Sequence, residues 1–545
     1  MRKLILVILL FTIKLCPQSI FEPVESGVYD FLERQSVRGV INFNTEIKPV
    51  LKSEIASKLI ELDGRRDQLT GIDRELLKYY LIDYVHEVKI LLKASEYDEE
   101  AKFLITGAGK RIRMFEYSGK NFSLFADPML SVSYGSNYNE NIFIRRNGLR
   151  AFGYAGNYWG YEFRFFDNEE TTDLPDYDKF LSPERGIVIT KKKPDSFEYD
   201  EVNASVVYSW GNGSIALGKD HFKIGSGRTG NIILSDKAPS FPFIRLDVKP
   251  AEWIRFFYFH GFLVSNVPDS ATLRFNSVSG RTSIADVPKF MAFHLISFYP
   301  SDNLSISIGE SIVYSEYIQP VYFIPVMFFR VADHYLGRTN SSASGNAQMF
   351  ADISYKNTAL RSRFYTSLFI DELSLNSIFK GGNLAATGVT AGTEIQDFPV
   401  DNSTLTMEYS RVNPFVYMNS VDAQVYSNEN YKAGHWMESN GDIISLKYRQ
   451  QILRYLSFDG GIWYMRKGKK ELPDEQYSSP YPPFLYGGRR NETNINFSIV
   501  YNPFHPVYVK LNYSYRNISD EDNIRTPEKF RGRFDDFLIS LSYGF

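Results

Sequence analysis

The last nine residues, Phe537-Leu-Ile-Ser-Leu-Ser-Tyr-Gly-Phe545, constrain the fold more than any other segment. Phe537, Ile539, Leu541, Tyr543 and Phe545 alternate with Leu538, Ser540, Ser542 and Gly544. A period of two gives a strand one apolar face and one small, mostly polar face. A membrane β-barrel needs aromatic side chains at the interface and must close its last strand on its first. A soluble sheet rarely needs a large exposed aromatic at its final position. The segment therefore points to an outer membrane.

The same alternation recurs upstream. Val507, Val509, Leu511, Tyr513 and Tyr515 alternate with Tyr508, Lys510, Asn512, Ser514 and Arg516. Ile495, Phe497, Ile499 and Tyr501 alternate with Asn494, Asn496 and Ser498. Ile444, Leu446 and Tyr448 alternate with Ser445, Lys447 and Arg449. A water-soluble sandwich shows the same pattern, so length and loop asymmetry must decide. The runs are about 8–11 residues, enough to cross a membrane at a tilt. Tight connections at 450–454 and 502–506 alternate with long polar ones at 167–184, 467–492 and 517–535. That asymmetry is what bacterial barrels show. At barrel spacing, the region 113–545 predicts about 16–18 antiparallel strands. No fixed-period repeat argues for a propeller or solenoid.

Export fits this reading. Arg2 and Lys3 precede an apolar run, Leu4 to Ile13, which suits a signal peptide (expected over 1–19) and is too short to span a bilayer. Cys16 is the only cysteine, so no disulfide framework or cysteine metal site is expected in a mature chain. The 37 Tyr and 43 Phe suit either a large core or the two girdles of a barrel. A net charge of −3 gives no reason to expect nucleic acid.

Residues 26–95 read as a small helical bundle. Val28 to Arg38 carries Val28, Phe31 and Leu32 on one side and stops at Gly39. Ser53 is the expected cap of a second helix that ends at Gly64. Thr70 and Asp73 form a capping box. The third helix is expected to run to Val88 with a stripe of Leu76, Leu77, Tyr80, Leu81, Tyr84 and Val88. Helices this short are marginal alone and should dock on something larger.

Motifs with chemistry are few. Gly225-Ser-Gly-Arg-Thr-Gly230 matches a dinucleotide-loop spacing, but Asn231 to Ser235 is strand-like and Pro239 blocks a following helix. The glycines are expected to form a tight irregular segment in or beside the barrel. His221, His294 and His334 lack ligand spacing, so no metal is expected. Asp371 and Glu372 face opposite sides of a strand and cannot work as a pair. No catalytic residues and no cofactor are expected.

The block Leu217-Gly-Lys-Asp-His, then Gly225 to Asn231, then Leu234-Ser-Asp-Lys-Ala-Pro-Ser-Phe-Pro resembles the capsule-assembly Wzi family. Arg145-Arg-Asn-Gly-Leu-Arg150, His294, Asn303 to Glu310, Tyr317 to Pro325 and the helical opening at Val28 extend the resemblance over nearly the whole chain. One departure is Leu295, where the pattern leads one to expect Arg after His294. The resemblance implies an outer-membrane barrel of about 18 strands with a periplasmic helical bundle. It also implies a lectin-like, non-enzymatic role: binding exported capsular or surface polysaccharide and attaching or assembling it at the cell surface. Outer-membrane lipids and barrel-insertion machinery are the other implied partners. A porin for small solutes is the alternative.

Sugars are held by aromatic faces and planar polar groups. The loop Tyr477 to Arg490 offers that mix, with Tyr477, Tyr481, Tyr486 and Arg489 as candidates; a stiff loop packed over the mouth is the competing account. Asp220, Arg228, His294 and Glu310 are candidates to line the lumen, or else to form a charge network that plugs it.

Overall fold

The computed structural model describes residues 18–94, 98–106, 112–172, 179–278, 280–339, 345–372, 386–472, 475–476 and 481–544. Tyr477, Phe545 and residues 1–17, where the signal peptide was expected, lie outside these.

Among the described residues, 18 antiparallel strands close into one barrel. The first strand, β1, is Phe122–Asn137, and the last, β18, is Gly532–Tyr543. Closure pairs Leu538–Tyr543 with Leu130–Gly135. Phe537, Ile539 and Leu541 are half-exposed on the outer wall, as the alternation requires. Successive strands join by short turns at one end, such as 252–253, 302–303 and 454–455. At the other end the connections are long, including 172–195, 221–240, 264–288, 413–440 and 468–489. Three long loops anticipated from sequence start later or end sooner than expected, because the flanking strands Trp159–Thr171, Arg490–Tyr501, Val507–Asp520 and Gly532–Tyr543 run further. Strands of 16 residues occur, against the anticipated 8–11.

The helices lie at the short-turn end. They are α1 (Val28–Val37), α2 (Lys52–Asp63), α3 (Gly71–Asp83) and α4 (Val85–Leu91). Their core gathers Val28, Phe31, Leu32, Val50, Ile55, Leu59, Leu62, Leu77 and Tyr84. The Thr70–Asp73 capping box is present. Two details differ from expectation. Helix α2 starts at Lys52, and Ser53 donates its backbone N–H to Ser19 Oγ at 2.9 Å. The satisfying group thus comes from a distant segment. The third helix breaks at Tyr84, whose ring is buried in the bundle core.

The bundle is tied to the turns it covers. Arg34 and Arg38 pair with Asp397, and Asn42 donates to Asp302 at 2.9 Å. Tyr79 stacks on His505 with ring centroids 3.5 Å apart. Lys356, on the barrel wall, donates to Ser36 Oγ, Phe43 O and Asn44 Oδ1. These contacts bury nearly all of α1, including Gln35 and Ser36. Such docking supplies the burial that four short helices lack alone.

Candidate functional site: a half-plugged lumen

Two chain segments meet inside the barrel. From the short-turn end comes the stretch before α2, and from the long-loop end comes 221–240. They pair as a short antiparallel ladder, Ile47 with Ile224 and Lys48 with Lys223. Beyond it, the 221–240 segment turns on its glycines. Gly225 has φ +114°, a conformation that favours glycine. A Cβ on Gly227 would lie 2.3 Å from Gly230 O, and one on Gly230 would lie 2.8 Å from the His435 ring. The G-x-G-x-x-G spacing is therefore a packed turn in the lumen.

The turn is anchored on the wall. Ser226 donates its hydroxyl to Asp352 at 2.7 Å, and the Thr229 N–H reaches Glu408 at 2.7 Å. Trp436 Nε1 donates to Thr229 O at 2.8 Å. Tyr417 and Tyr426 donate to the carbonyls of Ile232 and Ile233, both at 2.7 Å. Arg228 bridges Glu33 of α1 and Glu394 of the wall. Burial opposes the charge on Glu33, yet Arg228 and then Lys48 hold its carboxyl well below the usual carboxylate range. The His435 imidazole is pushed down to about 3 by burial, with Lys447 and Lys467 adding to the effect.

The wall behind this plug is apolar on its inner face. Phe222 of the plug stacks on Phe259 (4.7 Å), Phe259 on Phe293 (5.1 Å), and Phe293 on Phe350 (4.7 Å). Arg245 is fully buried there; it lies 4.2 Å above the Phe21 ring and pairs with Asp247 at 2.8 Å.

The opposite half of the lumen is a cavity of about 1340 Å³. Its wall comes from strands near the seam: Ser131 and Ser133, Asn494, Asn496 and Ser498, Lys510, Asn512 and Ser514, Ser540 and Ser542. Asn496 donates to Asn494 at 3.1 Å, and Ser133 to Ser540 at 2.8 Å. Facing them are Arg164, Asn168, Tyr199, Glu201 and Asn203. Residues 181–188 and Tyr138 border the long-loop end. Most charges here are paired: Arg164 with Asp220 (2.8 Å), Arg185 with Glu25 (2.9 Å), Lys179 with Glu184 (3.0 Å). Lys179 is the main cause that pulls the Glu184 carboxyl down to about 2. Arg146 and Lys510 line the cavity with no ion pair among the described residues.

The residues singled out from sequence do not converge. Asp220 holds Arg164 at the edge of the cavity, and Arg228 locks the plug. His294 and Glu310 do not line the lumen. They lie on the outer wall, 3.2 Å apart, because strand parity puts Phe293, Leu295 and Val313 inward instead. Tyr481 donates to Pro414 O at 3.3 Å, and Tyr486 donates to Glu475 at 3.0 Å. Both belong to loop 468–489 at the long-loop end, packed beside Phe415. Arg489 is exposed there. The cavity's Asn and Ser rows were visible as inward-facing positions, but only closure of the barrel brings β1 beside β18 and makes them one surface.

No curated protein sequence matches this chain. Among solved structures it is similar to Wzi of Escherichia coli, described as an outer-membrane, carbohydrate-binding β-barrel involved in group 1 capsule assembly. Identity is 12%, the match covers 97% of this chain and 99% of that one, and the TM-score is 0.58. Two further matches are OccK3 of Pseudomonas aeruginosa and OccAB2 of Acinetobacter baumannii. Their identities are 13% and 11%, with coverage of 78% of this chain and 94% and 97% of theirs, and TM-scores of 0.41 and 0.42. A family model described as capsule assembly protein Wzi matches residues 126–529. With most of its length inside that match and an 18-strand barrel around it, this outer-membrane chain belongs to the capsule assembly protein Wzi family.

Proposed function

We propose that the barrel is a lectin: it binds exported capsular or surface polysaccharide and helps hold it at the cell surface. The observation that carries this reading is the cavity beside the plug. It presents rows of amides and hydroxyls, aromatic rings at Tyr199 and Trp463, and the cations Arg146, Lys219 and Lys510, which have no ion pair among the described residues. Planar amides and hydroxyls satisfy many sugar hydroxyls at once, while aromatic faces cover their apolar edges. Paired ions and amides suit holding a hydroxyl-rich chain better than moving protons, which is why binding is preferred to catalysis. Family membership and the carbohydrate binding of the similar Escherichia coli barrel support the same reading.

In this reading the long-loop end faces outward and the helices face the periplasm. Outer-membrane lipids surround the apolar belt, and the C-terminal strand is the element barrel-insertion machinery engages. Tyr481, Tyr486 and Arg489 act as outer contacts near the mouth. Asp220 and Arg228 organise the walls.

The test is binding of the producing strain's own surface polysaccharide to the purified barrel. Asn496→Trp with Asn512→Trp fills the cavity, and affinity should fall at least about tenfold, the equivalent of ~1.4 kcal/mol. Unchanged binding by a folded double variant ends the cavity assignment. Tyr481→Ala, Tyr486→Ala and Arg489→Ala together should weaken surface retention less. Steady open-channel current in a planar bilayer would instead support a solute channel.

A further inference from the structure

The connection after strand Leu304–Ser315 does not extend upward. It folds back along the outer wall, with a turn at Pro320–Phe323 and a helix, α5, at Phe329–Thr339. Under it lies an unusual patch of barrel surface. Tyr258, His260, His294, Glu310 and Tyr314 point outward, on the same face that presents Ile308 and, on the next strand, Ile353. Polar groups facing hydrocarbon are costly unless satisfied.

Here each side chain has at least one hydrogen-bond partner. The Phe329 N–H donates to Glu310 at 2.6 Å, so the carboxylate sits at the start of α5. Tyr258 donates to Tyr322 O at 2.8 Å, and His294 Nδ1 donates to Pro325 O at 3.0 Å. His260 meets Tyr314 at 2.7 Å, and the Phe323 ring stacks over the imidazole at 4.0 Å. Tyr322, Phe329 and Ala332 complete an apolar core with Phe290 and Ile312. The segment is therefore a flap docked on the wall.

Its depth follows from strand length. The strands it covers have 10, 13 and 12 residues. Such strands, tilted, cross little more than the ~25 Å apolar belt of an outer-membrane barrel. The flap reaches down to His294 and Glu310, near the middle of these strands, and Ile308 just below it is 51% exposed. The side of the flap turned away from the wall is mostly apolar: Ile324, Val326, Phe328 and Val331 are 45–78% exposed, with Arg330 and His334 the exposed polar residues of α5.

We propose that residues 320–336 form a membrane-embedded flap. Its outer side, Ile324, Val326, Phe328 and Val331, contacts the acyl chains of the outer leaflet. The flap continues the barrel's lipid-facing surface across a patch whose polar groups it caps. The inference rests on the membrane placement and is independent of the glycan reading.

The test uses nitroxide labels on single cysteines, in a Cys16→Ser background, at Val326 and Val331 of the full barrel in liposomes. Ile353→Cys serves as the lipid control and Val278→Cys, at a loop position that is 97% exposed, as the water control. The flap sites should match Ile353, with collision with a water-soluble nickel complex at least about fivefold below that at Val278. Accessibility at both sites equal to that at Val278 overturns the proposal. If Ile353 is also water-accessible, the membrane placement itself fails. A heat-modifiable band on gels confirms that each labelled variant is folded. Unlabelled Val326→Asp adds an independent readout: it should release the flap, making its chain cleavable by protease added outside. Resistance equal to the parent counts against embedding.

Discussion

The two halves of the lumen are built from the same alternating strands, yet their inner faces are opposites. Behind the plug, strands Ile254–Leu263 and Lys289–Ser301 point Phe257, Phe259, Met291, Phe293 and Leu295 inward. Beside the cavity, Arg490–Tyr501 and Val507–Asp520 point Asn494, Asn496, Asn512 and Ser514 inward. In a barrel, what an inward position needs depends on what fills the space in front of it. A plug makes the lumen a protein core, while a hydrated cavity makes it a polar surface. The outer wall repeats the lesson, since the flap lets His260 and Glu310 face the membrane side.

That contrast can be broken by substitution. Arg228→Ala leaves Glu33 and Glu394 facing each other without their shared cation. It should cost about 3–5 kcal/mol in chemical unfolding of the micelle-bound protein, the range for breaking a buried pair. Phe259→Ala removes the middle ring of the aromatic run and should cost about 3–5 kcal/mol. Asn496→Ala in the cavity should stay within about 0.5 kcal/mol. Similar costs at Phe259 and Asn496 would make the halves equivalent and remove the distinction. Gly230→Ala pushes a methyl into the His435 and Trp436 rings and should cost about 1–3 kcal/mol by the same measurement.

The plug should also impose a pH slope. His435 stays neutral in the folded barrel down to about 3, whereas the unfolded chain takes up a proton near pH 6.5. Its folded pKa is depressed, so the stability it supports is fully present above about pH 6.5 and falls as pH drops toward 3. The slope from this one group is at most about 1.4 kcal/mol per pH unit. His435→Asn, which can keep an acceptor for the Met437 N–H, should flatten the curve between pH 6.5 and 4. An unaltered slope would show that the titrating group lies elsewhere.

How much of this was legible depends on range. The Thr70–Asp73 box was legible because both partners lie within one helical turn. The cap expected at Ser53 was misplaced because Ser19, 34 residues earlier, supplies the oxygen. The closing strand was legible because period two is a local property of extended chain. The sidedness of His294 and Glu310 was missed for a related reason. Apolar residues stand on both faces of those strands, so alternation alone could not say which face looks inward.

The sequence alone determined the class of the molecule: the period of the strands, the asymmetry of the loops and the helical opening follow from local spacing and turn chemistry. It also carried the resemblance that named the family. Only the tertiary structure decided which inward faces meet a plug and which meet a cavity. It also placed the 225–230 glycines against His435 and folded residues 320–336 over the outer wall. Those outcomes depend on which distant segments share a space, and no local pattern of residues encodes that.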